Sequence, residues 1–222
     1  MATPSESVPF GLANPAVPAG HEIPPEPPDV GARALSVASR MLCGASTFFF
    51  LAFLFAYFYL RSIDADHMWH PAHVHPKQAL GAAFIVCVVL SALSSILAGR
   101  RMKAGSRSWL TPAIAAVALG LIAVVLQCVE YTVQHFGPTN GGYASVFCAW
   151  SAFYLIAVLF TMYWLETQVA TELRARRAPA AAGDGDIDDP DQLIAPGLDA
   201  AVFYWSFLAA IGVVTYVTLY LL

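Results

Sequence analysis

Five long stretches of the chain contain no Asp, Glu, Lys or Arg. They lie between Arg40 and Arg61, between Lys77 and Arg100, between Arg107 and Glu130, between Glu130 and Glu166, and after Asp199. Each stretch has at least 20 residues, and about 20 apolar residues are enough for a helix to cross roughly 30 Å of bilayer hydrocarbon. The spacing of the charges therefore predicts an integral membrane protein.

The composition agrees with a lipid environment. Of the 222 residues, 58% are hydrophobic and only 12% are charged, whereas a soluble domain has about 25% charged residues. A chain of this length cannot place all of its apolar residues in one core, so membrane lipids are the expected surroundings. The net charge of −4 provides no basic field for phosphate backbones, which excludes a nucleic-acid partner.

The expected fold is an all-α bundle of five transmembrane helices over residues 41–222. The helices are predicted near 41–60, 79–99, 110–135, 143–167 and 199–222. Residues 1–40 are rich in proline and are expected to form a flexible tail, because they cannot bury enough apolar surface to offset the entropy of ordering. Residues 178–197 are expected to form an acidic linker.

The basic residues predict the orientation of the bundle. Arg61 and Lys77 fall on one side of the predicted membrane, and the nine others fall on the opposite side. These nine are Arg33, Arg40, Arg100, Arg101, Lys103, Arg107, Arg174, Arg176 and Arg177. Because cytoplasmic loops carry the excess of Lys and Arg, the N-terminus is predicted to be cytoplasmic and the C-terminus to face outward.

Few side chains inside the predicted spans are polar enough to carry chemistry. No histidine lies in the middle of a span, so we expect no histidine-ligated redox metal and no cofactor in this chain. Glu130 is the one acid clearly within a helix body, and Gln127 precedes it on the same helix face. An unpaired carboxylate is costly in lipid, so Glu130 needs a hydrogen-bonding partner or a functional role.

Four histidines share the outer loop between the first two predicted helices. His67, His70, His73 and His75 are close enough in sequence for their imidazoles to bind zinc or copper. Incidental clustering is the alternative interpretation.

Four basic residues follow the second predicted helix. Arg100, Arg101, Lys103 and Arg107 have the charge to bind anionic lipid headgroups. The simpler interpretation is that they only set the topology.

Several stretches carry a resemblance to a known family. They are the aromatic helix at 45–58, the Leu-Gln-x-x-Glu-Tyr pattern at 126–131, the helix entry at 142–147, and the closing helix with 203–205 and 219–222. Together they resemble subunit III of haem-copper terminal oxidases in its five-helix form. The chain departs from that family at Thr47, where the family has Glu, and at Ser206 and within 152–157, where the family has histidines.

The resemblance implies a non-catalytic subunit of a proton-translocating, cytochrome c oxidase-type complex. Such a subunit packs on the catalytic subunit I and on other oxidase subunits, supports aerobic electron transport and proton uptake, and carries no redox centre of its own. Haem and copper are then expected in the partner subunits, and a bacterial cell (plasma) membrane is the expected location. Gln127, Glu130 and Tyr131 are the polar cluster that matches the family. An accessory protein of nitric oxide reductase and a small independent transporter or scaffold remain as alternatives.

Overall fold

The structure is a computed structural model that describes residues 28–64, 69–71, 74–177 and 191–222. These residues form five long helices and, within the ranges given, no strand. The helices are α1 Pro28–Ser62, α2 Gln78–Lys103, α3 Leu110–Val133, α4 Gly142–Arg177 and α5 Asp191–Tyr216. All five are long and apolar enough to cross a membrane, which confirms the predicted all-α class and the number of spans. The orientation of the termini stays a prediction.

Three helices extend at least two turns beyond one end of their predicted spans. The first begins at Pro28 rather than near 41, α4 continues to Arg177 rather than 167, and α5 begins at Asp191 rather than 199. Parts of the expected tail and of the expected linker are therefore helical. Residues 1–27 and 178–190, the remainder of both, lie outside the described residues.

Local chemistry explains these extensions. Proline is well placed at the start of a helix, because its fixed φ suits the first turn and its missing N–H leaves no bond unmade. The residues that follow Pro28 include several Ala, Leu and Arg, which are good helix formers. At the end of α4, Arg176 pairs with Glu172 one turn earlier, with 2.5 Å between nitrogen and oxygen.

The fourth and fifth helices lie at the centre of the bundle. The α5 helix contacts α1, α2 and α4, and α4 contacts α1, α3 and α5, while α2 packs between α3 and α5. Large aromatic side chains fill the space between these helices, and Trp150, Tyr154 and Trp205 are at most 1% exposed. The core is therefore built mainly on the two central helices.

A stripe of small residues lets α2 approach its neighbours closely. Ser91, Ser95 and Ala98 are all buried. The Ser91 hydroxyl donates to the Ala116 carbonyl at 2.5 Å and accepts from the Trp205 indole at 3.1 Å. These two bonds join α2, α3 and α5, as expected where small and hydroxyl-bearing residues line helix contacts in membranes.

The first helix is the least buried of the five. Only 17% of its most apolar 18-residue stretch is buried inside the bundle, against 33–44% of the corresponding stretch in the other four helices. Phe48, Phe49 and Phe55 are more than half exposed, whereas Phe50 and Tyr57 face inward. The aromatic residues of α1 thus form a wide apolar surface on the outside of the bundle.

Candidate functional site

A buried carboxylate near the end of α3 is the centre of the candidate site. Glu130 is only 1% exposed. It accepts a hydrogen bond from the Gln127 side-chain amide at 3.0 Å, one helical turn earlier. The Tyr220 hydroxyl donates to Glu130 and lies 2.8 Å from each carboxylate oxygen. The carboxylate is therefore paired by donors from two different helices.

The position of Tyr220 depends on the end of the fifth helix. The residues that follow α5 directly, Val217–Leu221, form a π-helical turn. The Tyr220 ring then occupies the space that a side chain at Gly81 in α2 would need. It also stacks on Tyr216, with ring centroids 5.2 Å apart, and meets Phe147 edge to face at 5.5 Å. A glycine opposite the ring and a helix of altered pitch together bring the hydroxyl to Glu130.

Tyr131, the third member of the predicted cluster, makes its hydrogen bond to α4 and not to Glu130. The Tyr131 hydroxyl donates to the Ser151 hydroxyl in α4 at 2.8 Å, and Ser151 donates in turn to the Phe147 carbonyl at 2.6 Å. The structure thus brings Gln127 and Glu130 into direct contact but gives Tyr131 a separate partner. Sequence reasoning did not select Tyr220 or Ser151 as site residues, although Tyr220 lies in the closing stretch that resembles the family.

The arrangement around Glu130 is suited to holding helices together. Two donors, the Gln127 amide and the Tyr220 hydroxyl shared between both oxygens, pair the Glu130 carboxylate, which reduces the cost of burying the group. The cavity beside it, lined by Gly81, Gln127 and Tyr220, measures about 10 Å³. That is about the smallest volume that admits one water molecule, so this cavity has no room for a chain of waters.

The histidine loop is described only in part. His70 and His75 face each other with ring centroids 5.1 Å apart, and His70 also lies 4.6 Å from the Tyr143 ring. Partial burial, and then the neighbouring His75, lower the pKa of His70. His67 and His73 lie outside the described residues. Among the residues that are described, no three His, Cys, Asp or Glu side chains come together as metal ligands, and the loop site stays a prediction.

The basic residues at the end of α2 and just after it lie at the end of the bundle opposite the histidine loop. Arg100 and Arg101 are exposed in the last turn of α2. Lys103 forms an ion pair with Asp199 in α5 at 2.6 Å, and both side chains are more than half exposed. Such an exposed pair contributes little to stability. Arg107 begins a short 3₁₀ turn that leads into α3.

Several known proteins that are similar to this chain share one description. No protein-family model matches it. The chain is 22% identical to cytochrome c oxidase subunit 3 of Osphranter robustus over 207 residues. The aligned region covers 90% of this chain and 72% of that protein. For the same subunit of Branchiostoma lanceolatum the identity is 26% over 186 residues, covering 79% of this chain and 64% of the relative. For cytochrome c oxidase subunit 3 of Mus musculus the identity is 24% over 182 residues, covering 79% of this chain and 65% of the relative.

The chain spans about two thirds of the length of these relatives. The identities are low, but the similarity extends over most of the chain and accompanies five helices that are able to cross a membrane. The chain is therefore similar, at low identity, to cytochrome c oxidase subunit III, and its five apolar helices are those of a multi-pass membrane protein.

Proposed function

We propose that this chain is the non-catalytic subunit III of a respiratory haem-copper terminal oxidase in a bacterial plasma membrane. The observation that carries the proposal is the similarity to curated subunit III proteins over 79–90% of the chain. In this role the chain packs on the catalytic subunit and supports aerobic electron transport and proton uptake. The haems and copper are held by partner subunits, as the family resemblance implies.

The exposed face of α1 is the surface that we assign to the catalytic subunit. It is the least buried of the five spans and presents rigid aromatic side chains, including Phe48 at 77% and Phe55 at 68% exposed. Helix association in lipid depends on close packing and on polar contacts, since hydrocarbon tails are as apolar as the helices themselves. Broad aromatic rings supply a large packing area on this face.

A polar cleft continues this surface toward the predicted cytoplasmic side. It measures about 460 Å³ and lies between α1 and α5, lined in part by Ser36, Arg40, Asp199 and Ser206. Hydroxyl and charged groups are poorly matched to lipid tails. They are better matched to the polar side chains of a partner protein, which supports a protein neighbour along α1.

Respiration in cells that lack this chain tests the proposal. Membranes from such cells should lose oxygen consumption faster during sustained turnover than membranes to which the chain has been restored. If these membranes instead lose nitric oxide consumption and keep normal oxygen consumption, the chain would be assigned to nitric oxide reductase. If neither rate depends on the chain, the proposal is wrong and an independent membrane protein is indicated.

A further inference from the structure

Among the described residues, the largest cleft lies at the end of the bundle where α1 finishes and α2 and α4 begin. This end cleft measures about 680 Å³, and exposed side chains such as His75, Lys77 and Gln78 line it. A much smaller cavity of about 10 Å³ lies deeper in the bundle, beside Gln127. Tyr220 lines both spaces, and no other described residue does. One side chain therefore forms the partition between the end cleft and the interior.

The partition covers the buried carboxylate of α3. The Tyr220 hydroxyl donates to Glu130 at 2.8 Å, and Glu130 is 1% exposed. The Gln127 amide, which lines the inner cavity, is the second donor to this carboxylate. Because Tyr220 contacts Glu130 on one side and borders the end cleft on the other, moving its ring aside would connect Glu130 with the end cleft.

Each of the other four helices provides a polar contact to residues 217–222, the π-helical turn and the residue after it. The carbonyl groups at the end of a helix have no partner inside the helix, and side chains of neighbouring helices supply the donors here. Tyr143 in α4 donates to the Leu219 carbonyl, Gln78 in α2 to the Tyr220 carbonyl at 3.0 Å, and Arg61 in α1 to the Leu222 carbonyl at 3.2 Å. The contact between Tyr220 and Glu130 adds α3. The turn is thus held as a unit.

Two of these four contacts are weak enough to open. Gln78 and Arg61 are exposed side chains, so water can replace the hydrogen bonds that they donate at little cost. Leu221 and Leu222 are 59% and 60% exposed and add little packing. Helix ends with exposed hydrogen bonds open locally more easily than a packed core, and π-helical turns are frequent at functional sites.

The opposite wall of the end cleft is fixed by aromatic packing. Trp69 is 9% exposed and meets Tyr57 and Tyr143 edge to face, with ring centroids 5.2 Å and 6.0 Å apart. The Trp69 carbonyl also accepts from the Tyr143 backbone at 2.9 Å. The π-helical turn is therefore the wall that can move, and the end cleft gives it the space to do so.

We propose that the π-helical turn is a gate that controls the access of water and small polar solutes from the end cleft to Glu130. The structure shows the closed state, in which Tyr220 covers the carboxylate. Release of the turn moves the Tyr220 ring into the end cleft and exposes Glu130 to solvent. The gate requires no proton transfer by Glu130, and it belongs to this chain alone, whatever complex the chain joins.

Carboxylate labelling of the full-length chain in a mild detergent tests the gate. The probe is a water-soluble carbodiimide with glycine ethyl ester, and peptide mass spectrometry is the readout. In the parent chain we expect Glu130 to react far more slowly than Asp199, whose side chain is 58% exposed. Arg61→Ala/Gln78→Ala removes the two exposed donors and should raise the labelling rate of Glu130 about tenfold, because two hydrogen bonds that keep the gate closed are lost. The rate at Asp199 should not change.

Arg101→Ala/Gln134→Ala is the matched control. Arg101 lies in the last turn of α2, at the opposite end of the bundle, and Gln134 contacts Cys148, so this variant should label Glu130 at the parent rate. If Arg61→Ala/Gln78→Ala misfolds, as judged by gel filtration, Gln78→Ala alone keeps the test valid and should raise the rate about threefold.

Tyr220→Ala removes the partition itself and should give the fastest labelling of Glu130. The proposal is overturned if the gate variants label Glu130 at the parent rate, or if the control variant shows an equal rise. It is also overturned if Glu130 stays unlabelled in Tyr220→Ala, because the barrier to solvent would then lie elsewhere.

Discussion

The Tyr220 hydroxyl lies 2.8 Å from both carboxylate oxygens of Glu130, although 90 residues separate the two side chains in sequence. This contact ties the end of the fifth helix to the third. Glu130 is buried, so the interaction is shielded from water and each partner needs the other. The helical turn that carries Tyr220 is thus anchored by Glu130, which belongs to the Leu-Gln-x-x-Glu-Tyr pattern of α3.

Removing the Tyr220 hydroxyl should weaken the bundle. Tyr220→Phe keeps the ring and its packing, but among the described residues it leaves Glu130 with the Gln127 amide as its one side-chain donor. We expect a loss of about 1–3 kcal/mol in the free energy of unfolding, because a buried acceptor loses its partner. Chemical denaturation in detergent measures this change. Tyr163→Phe, at a tyrosine that is 67% exposed, is the control, and an equal loss there would contradict the assigned role.

Neutralising Glu130 separates a structural role from a proton-transfer role. Glu130→Gln keeps the shape and one acceptor oxygen, so we expect the chain to fold and to stay with its complex. Because the carboxylate is paired with Gln127 and Tyr220 and its neighbouring cavity measures about 10 Å³, turnover per haem should stay close to that of the parent. Reduced turnover with full subunit retention would contradict this account and indicate that Glu130 transfers protons.

Glycine at position 81 should be required by the Tyr220 ring. A Cβ at Gly81 would overlap that ring, so Gly81→Ala should destabilise the chain by about 1–3 kcal/mol through overpacking. Gly44 in α1 offers the matched control, since a Cβ there meets nothing within 4 Å. Gly44→Ala should stabilise the helix by about 0.5–1 kcal/mol. The two substitutions are predicted to have opposite signs in thermal unfolding, and the same sign in both would refute the packing at Gly81.

The five spans could be predicted from the sequence because the bilayer imposes a minimum apolar length, which the charge-free stretches meet. The pairing of Gln127 with Glu130 was equally accessible, since it follows from helical spacing. The pairing of Tyr220 with Glu130 could not be predicted in this way, because that contact depends on how α3 and α5 pack. The extra length of α1 and α4 was missed for a related reason. Hydropathy detects where a helix enters lipid, whereas helix propensity decides how far it continues in water.

The α1 surface should be needed for assembly more than for folding. Phe48→Ala/Phe55→Ala removes two exposed rings, and we expect less of the chain to stay with the catalytic subunit in mild detergent, with little change in its own thermal unfolding. Ile122→Ala/Val125→Ala removes two side chains of α3 that are at least half exposed and should leave assembly intact. Equal retention of both variants would place the partner on a different face.

The central claim is that this chain works as a subunit of a haem-bearing oxidase. The most direct test is to purify the tagged protein from native membranes in a mild detergent, record a reduced-minus-oxidised optical spectrum and identify the subunits that accompany it. Our account predicts haem absorption and a catalytic oxidase subunit in amounts equal to those of this chain. A colourless preparation with no haem-bearing partner, repeated in several gentle detergents, would contradict it.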